Sequence, residues 1–423
     1  MPLTALARNT FALVAIVAAH TAAQVAPPRS PSPRPDMLHV PGHEVTISLL
    51  TMGDGDAVWE MFGHTAIRVR DTVDGRDTVF NWGAFDMSKP HFILHFLQGL
   101  NRYQMVGDPM QSVMLGYRAM NRSVTEQELA LTDAQKDSVI DIIRVNAEPQ
   151  NLEYWYDYFV DNCATRPRDI LDHVLGGQLH AGADSLTPTS YRFHTLRLMQ
   201  GDKLLVTGVD IGLGEPSDRP ITKWQEMFLP QKLHDWVATK QVRDSAGTPH
   251  SLVRREQVLY QATRPPEQAA PPNLALWLTL IGFVLASIFA WLGVRGGPTA
   301  ASVVYALWAL ACGLLGCVVF ALWTMTNHRF AYYNENLLVF NPLWLALVIL
   351  LPMYMRSGRA PRATRGILVV LAGLAVLALL AHAVMVSRQV NVGVIGLVLP
   401  PTLAIAYVAT NRFRIDRAPH TTY

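Results

Sequence analysis

Two hydrophobic rhythms divide this chain. Up to about residue 264 apolar positions alternate or recur at helical spacing, and beyond it they run almost unbroken. In the first part, Val45-Thr46-Ile47-Ser48-Leu49-Leu50-Thr51 is rich in β-branched and apolar residues and predicts a strand. Gly53-Asp54-Gly55 turns the chain, and residues 57–62 read as a short helix. Thr65-Ala66-Ile67-Arg68-Val69-Arg70 alternates as a second strand, with His64 at its start. Asp74-Gly75 signals a hairpin that returns through Asp77-Thr78-Val79-Phe80-Asn81-Trp82. His64 and Asn81 therefore lie at one end of a hairpin, within reach of each other across the strands. Residues 90–100 read as helix, and short strands are expected between Tyr103 and Thr125. The capping box Thr132-Asp133-Ala134-Gln135 opens a helix to about Ala147. Residues 221–230 add a helical piece, followed by two weak strands; Trp224, Met227, Phe228 and Trp236 either pack on this domain or dip into lipid headgroups. Strands and helices mixed in this order give an α+β domain.

The second part holds five apolar segments, near 274–294, 301–326, 337–355, 366–387 and 390–410. Runs beyond about 18 apolar residues predict membrane-spanning helices. The third is interrupted by Asn341, Pro342 and Pro352. With the first part outside, the inner connections carry Arg295, Arg356, Arg359, Arg362, Arg365, Arg412, Arg414 and Arg417, and the outer ones only Arg329 and Arg388. That asymmetry orients the C-terminus to the cytoplasm. At the other end, Arg8, the apolar run 11–19 and small residues before Gln24 form a secretory signal peptide, or else an uncleaved anchor. The domain plan expected is a signal peptide over 1–23, a Pro-rich linker over 24–40 and a thiol domain over 41–218. A membrane-proximal extension over 219–263, a second Pro-rich linker over 264–273, five transmembrane helices over 274–410 and a cytoplasmic tail over 411–423 complete it.

Composition agrees with a soluble head on a membrane tail. Half of the 423 residues are hydrophobic and only 16% are charged. The net charge of +2 gives no reason to expect nucleic acid. There are three cysteines, and Cys312 and Cys317 fall inside the second apolar segment as packing residues. Cys163 is thus alone in an exported domain, with nothing to form a disulfide with, which marks it as a reactive thiol or a buried small apolar residue. It follows Asp161-Asn162 and precedes a helical run ending His173-Val174-Leu175. A thiol before a helix with a histidine nearby suits nucleophilic chemistry. His64 is the base expected; His173, His180 and His194 compete but open no strand. Asn162, Thr165, Arg166 and Asp169 are supporting candidates, and Pro167 requires a helix that starts later than an Asn162 cap would allow, or a distorted first turn. His91 and His95 stand four apart, yet no Glu-containing zinc motif surrounds them, and neither a metal nor a cofactor is expected. The outer loop residues His328, Asn334 and Asn336, with Asn341, are membrane-face candidates, either for a second polar site or for interfacial anchoring.

Three blocks carry a resemblance. Gly63-His64-Thr65-Ala66-Ile67-Arg68-Val69, Phe80-Asn81-Trp82-Gly83-Ala84-Phe85-Asp86 and Asp161-Asn162-Cys163-Ala164-Thr165-Arg166-Pro167-Arg168-Asp169 resemble the signature blocks of the Lnb family, bacterial lipoprotein N-acyltransferases. They are more loosely similar to permuted NlpC/P60 proteins. Asn334-Glu335-Asn336-Leu337-Leu338 and Asn341-Pro342 extend the likeness into the tail. The resemblance implies a circularly permuted papain-like, NlpC/P60-like α+β domain in the periplasm, fused to an all-α five-helix domain of the bacterial inner membrane. It implies Cys163 as nucleophile, His64 as base and Asn81 as the polar third residue. It also implies a phospholipid acyl donor, a Cys163 thioester and a diacylated lipoprotein as acceptor. A membrane-anchored thiol hydrolase, acting as phospholipase or peptidoglycan peptidase, and a non-enzymatic sensory or binding module are the alternatives.

Overall fold

The computed structural model describes His39 and residues 44–244, 246–357 and 362–415. The expected signal peptide, the first linker apart from His39, and tail residues 416–423 lie outside the described residues. The chain divides into two compact units, Met1–Tyr191 with Pro220–Gln268, and Arg192–Arg219 with Ala269–Tyr423.

The first unit is built on a seven-stranded sheet in the order β11-β5-β1-β2-β3-β4-β6. Its strands are β1 (Val45–Met52), β2 (His64–Asp71), β3 (Asp77–Ala84), β4 (Arg102–Pro109), β5 (Val124–Leu129), β6 (Glu153–Trp155) and β11 (Val253–Tyr260). All its pairings are antiparallel. Two ribbons pair β7 (Leu186–Ser190) with β8 (Pro220–Thr222), and β9 (Gln241–Arg243) with β10 (Pro249–Ser251). The helices of this unit are α1 (Phe92–Leu97), α2 (Met110–Ala119), α3 (Asp133–Ala147) and α4 (Thr165–Val174). The chain then leaves the unit through α5 (Tyr191–Leu198) and α6 (Lys203–Gly212), and returns for α7 (Lys223–Glu226) and α8 (Pro230–Thr239).

The central strands are covered on both faces, which is why β1 reads as an almost continuous apolar run. Ile47, Leu49, Ile67, Val69, Phe80 and Trp82 share a core with α3, α4 and α8. Leu50, Met52, Ala66 and Val79 share another with Met110 and Val113 of α2. The Thr132 capping box is present, with Thr132 Oγ1 accepting from the Gln135 N–H and Gln135 Oε1 from the Thr132 N–H. Met227 and Phe228 are buried, so they pack inside the unit. Arg264, expected in a free tether, is fixed by two 2.8 Å bonds to Asp56 and one to the Asn121 carbonyl.

Some elements differ from expectation. Residues 57–62 form tight turns, because the Glu60 and Gly63 N–H groups bond carbonyls only three residues back, Ala57 and Glu60. The stretch between Tyr103 and Thr125, expected to hold short strands, also contains α2, whose Met110 and Val113 supply the i, i+3 pair that covers the second core. Of the weak strands after residue 239, β9 and β10 pair with each other, while β11 caps the edge of the main sheet against β5.

The second unit is helical: α9 (Leu274–Val294), α10 (Pro298–Thr324), α11 (Trp344–Ser357), α12 (Arg362–Ala383) and α13 (Val392–Ile415) follow α5 and α6. Among the described residues four helices are long and apolar enough to cross a membrane, namely Leu274–Val294, Pro298–Thr324, Arg362–Ala383 and Val392–Thr410. The third expected span is only the shorter helix α11. Asn341 caps it locally by accepting from the Leu343 N–H, and Pro352 interrupts its ladder. Cys312 and Cys317 are free, and Cys312 is buried in the helical core. Arg192–Arg219, expected as the end of the thiol domain, packs in this unit. Arg192 is 2% exposed; it donates to Asp210 at 2.6 Å, to Asp218 at 2.8 Å and to the Leu213 carbonyl. An Arg192→Ala substitution leaves two buried carboxylates without their cation, at a cost of about 3–5 kcal/mol. A lower melting temperature of the full chain in detergent is the expected readout.

Candidate thiol site

The site begins at Gly63, whose φ of +75° and position 2.7 Å from the Met52 carbonyl, measured from a built Cβ, demand glycine. The turn delivers His64 as the first residue of β2. The β2–β3 register sets Ala66 opposite Asn81, so His64 and Asn81 share a face one diagonal step apart. Their side chains meet with His64 Nε2 and Asn81 Oδ1 at 3.1 Å. Asn81 Nδ2 donates to the Val79 carbonyl, which fixes the amide with its oxygen toward the ring. His64 Nε2 is then the donor, and Nδ1 keeps its lone pair for an incoming proton.

Cys163 arrives from the other side of the sequence on a built turn. Asn162 Oδ1 accepts from the Ala164 and Thr165 N–H groups at 2.8 and 2.9 Å, while Nδ2 donates to the Tyr158 and Phe228 carbonyls. Thr165 Oγ1 accepts from the Asn162 N–H at 2.7 Å. Helix α4 starts at Thr165 with Ala164 as its cap, so Pro167 is its third residue, where no intrahelical N–H bond is needed. The later start anticipated from Pro167 is what is found, and Cys163 stands just before the helix.

The sulfur meets the backbone of Thr65, the residue after His64, together with the backbone N–H groups of Cys163 and Ala164. Gly83 forms the opposite wall; a Cβ there would lie 3.4 Å from the Tyr156 ring and 3.7 Å from Cys163 Cβ, at a φ of +98°. The structure thus gathers Cys163, His64 and Asn81, with Asn162 and Thr165 shaping the turn beneath. Arg166 pairs with Asp161 at 2.6 Å and lies 4.0 Å over the Tyr154 ring, a hydroxyl of which is buried without a partner. Asp169 is exposed and pairs with Arg168, whose guanidinium covers Trp224. His173 lies in the last turn of α4, about 12 Å along the helix from its start. His180 bonds Asp184 and lies against Trp224, and His194 accepts from Arg197 within the helical unit.

Burial governs the electrostatics. It pushes the Cys163 thiol up to about 11, against a smaller opposing effect from the three backbone groups and the Arg122 cation. It pushes His64 down to about 4, with Arg122 adding to the fall and the Asn81 bond opposing it. Sulfur and imidazole are both neutral at pH 7. Arg122 is the residue the sequence did not single out. It is 4% exposed, bonds the Gly53 carbonyl at 3.0 Å, pairs with Glu60 at 3.3 Å and stacks on Tyr117 at 4.8 Å. No local signal flags it, because its hydrogen-bond and ion-pair partners, Gly53 and Glu60, lie in a turn some sixty residues earlier.

The membrane-face candidates lie in the helical unit. Asn334 Nδ2 and Asn336 Nδ2 both donate to the Ile211 carbonyl, at 2.9 Å each, closing the end of α6. Asn391 donates to Asn336 and meets His382 at 2.6 Å, and Gln389 donates to Asn334. Asn341 donates to the Leu337 carbonyl, and the His328 N–H bonds Thr326. Asn334 and Asn336 thus join one buried network, while Asn341 and His328 make local bonds.

Fold and site together define a membrane protein whose α+β head carries a cysteine, a histidine and an asparagine at one end of its sheet. Residues 38–199 match the family model of the Lnb N-terminal periplasmic domain, and residues 267–414 match that of the Lnb transmembrane domain. The chain belongs to the Lnb family, and its head is a periplasmic domain. No curated protein and no solved structure matched it.

Because Cys163 is protonated at neutral pH, its alkylation by iodoacetamide should climb about tenfold per pH unit from 7 to 10. Arg122→Met removes a cation that favours the thiolate, so alkylation at fixed pH should slow further. A rate already flat above pH 7 would mean a thiolate at rest and contradict this picture.

Proposed function

We propose that this protein is an acyltransferase that moves an acyl chain from a phospholipid, through a Cys163 thioester, to an amine, the N-terminal cysteine of a diacylated lipoprotein. The carrying observation is the placing of the Cys163 sulfur against the backbone next to His64, with His64 Nε2 held by Asn81. Family membership supports the lipidic donor and the lipoprotein acceptor.

In the first half-reaction His64 Nδ1 takes the thiol proton as the sulfur attacks the ester carbonyl. The tetrahedral intermediate expels the lysophospholipid oxygen, which receives that proton from His64, and the thioester remains. In the second, the amine attacks the thioester carbonyl and gives its proton to His64. The sulfur leaves and is reprotonated, completing the amide. Backbone N–H groups at Cys163 and Thr65 are the oxyanion donors in this reading. A neutral pair suits it, since neither charged form need be stabilised before substrate arrives.

The chain order histidine, asparagine, cysteine makes the head a circularly permuted papain-like domain in this reading. Counting α11 as a fifth crossing segment puts an odd number of spans after the head. The C-terminus then lies in the cytoplasm of an inner-membrane protein, in agreement with the eight inner and two outer arginines.

In a strain without any other N-acylating enzyme, the N-terminal peptide of a lipoprotein should be one acyl chain heavier with this protein than with its Cys163→Ala variant. His64→Ala should slow formation of the acyl-enzyme by about 10²–10⁴-fold. Mass spectrometry of the peptide and of the intact protein reads both. Free fatty acid without amide product would make the protein a hydrolase, and unchanged peptide mass would end the acyltransfer reading.

A further inference from the structure

Helix α1 has no buried residue, and unlike the short α7, which shares that property, it is made almost entirely of large apolar side chains. Its sequence is Phe92-Ile93-Leu94-His95-Phe96-Leu97, and Ile93, Leu94 and Phe96 are 54%, 48% and 36% exposed. Tyr158, whose ring meets Phe96, is exposed beside it, and Trp155 and Val160 of the same segment leading to Cys163 are exposed as well. A contiguous apolar surface of this kind on a periplasmic domain marks an interaction site.

The surface is continuous with the thiol site. The Phe96 ring meets Tyr158 at 6.5 Å, Tyr158 meets Tyr156 at 5.8 Å, and the Tyr156 ring lies at Gly83, against which Cys163 packs. A parallel route runs from Phe92 through Phe85 and Tyr103 to Tyr156, with centroid separations of 5.7, 5.0 and 4.4 Å. Aromatic rings therefore pack in an unbroken series from the exposed helix to the Gly83 wall of the thiol site.

The chemistry at its edge favours lipid as the occupant over a protein. Trp155 carries the Arg102 guanidinium 4.6 Å above its ring, and Lys89 and Arg102 both pair with Glu153 at the rim. Large aliphatic and aromatic side chains ringed by Trp, Tyr and cations form the pattern of a segment seated in a membrane interface. The same chain carries four helices fit to span a bilayer, so such a surface is at hand.

We infer that α1, with Trp155 and Tyr158, seats in the outer surface of a phospholipid bilayer and leads a donor acyl chain along Tyr156 and Gly83 to Cys163. The delivery half of this inference rests on the acyl-transfer reading; the seating half does not.

Full-length protein in phosphatidylethanolamine–phosphatidylglycerol nanodiscs tests both. A nitroxide label at Leu94→Cys, in a background carrying Cys163→Ala, Cys312→Ala and Cys317→Ala, should collide with oxygen more than with a water-soluble nickel chelate. The same label at Val73→Cys, in the exposed hairpin, should do the reverse. Equal chelate access at both positions overturns the seating, and is the result a protein-docking surface would give. For delivery, Cys163 acylation from bilayer phospholipid is compared with acylation from the soluble ester p-nitrophenyl butyrate. Ile93→Asp combined with Leu94→Asp should lower the lipid-to-soluble rate ratio about tenfold or more. An unchanged ratio overturns delivery. Wild-type protein acylated by neither donor overturns delivery together with the function reading, and the label alone then decides the seating.

Discussion

The hydrogen bond between His64 and Asn81 is available in only one strand register. Side chains alternate along β2, so a slip by one residue would send His64 to the opposite face. That register is held by the covered cores on both faces of β1, β2 and β3 and by the glycine turn at Gly63. The bond does more than orient a ring. With the Asn81 amide fixed by the Val79 carbonyl, it selects the tautomer that leaves Nδ1 able to take a proton. A sheet register thus sets the tautomer of a side chain.

Burial acts on the two partners in opposite senses and leaves both uncharged. A lone thiol outside the cytoplasm is exposed to oxidants, and oxidation proceeds through the thiolate. Holding Cys163 protonated limits that oxidation, while the backbone groups around the sulfur and the Arg122 cation favour the thiolate and partly offset the effect of burial. Arg122 reaches this position through bonds to Gly53 and Glu60, so its influence depends on a turn remote in sequence from the cysteine.

In the helical unit, asparagines and glutamine close a different gap. The last carbonyls of α6 have no intrahelical donors, and Asn334, Asn336 and Gln389 supply them. The side chains that looked like a second polar site are thereby committed to holding Arg192–Arg219 in the unit. Arg192, with Asp210 and Asp218, fixes the same segment through charge.

What the sequence determined by itself was local. The Asp74-Gly75 hairpin, the Thr132 capping box, the strands around His64 and Asn81 and the long apolar runs each follow from a few neighbouring residues, and each is found. The one exported cysteine and the histidine opening a strand were legible because their residue types are rare in such positions. Other features required the folded chain. α2 was hidden because its apolar pair is short and is justified only by the sheet face it covers. The third apolar run, already broken in sequence by Asn341, Pro342 and Pro352, needed the folded chain to show how short a helix remains, with Asn341 capping it and Pro352 interrupting it. Arg192–Arg219 carries no signal for the unit it joins, because its partners lie more than a hundred residues away. The protonation of Cys163 and His64 was decided by tertiary structure alone, since their burial and the field of Arg122 arise only when distant segments come together.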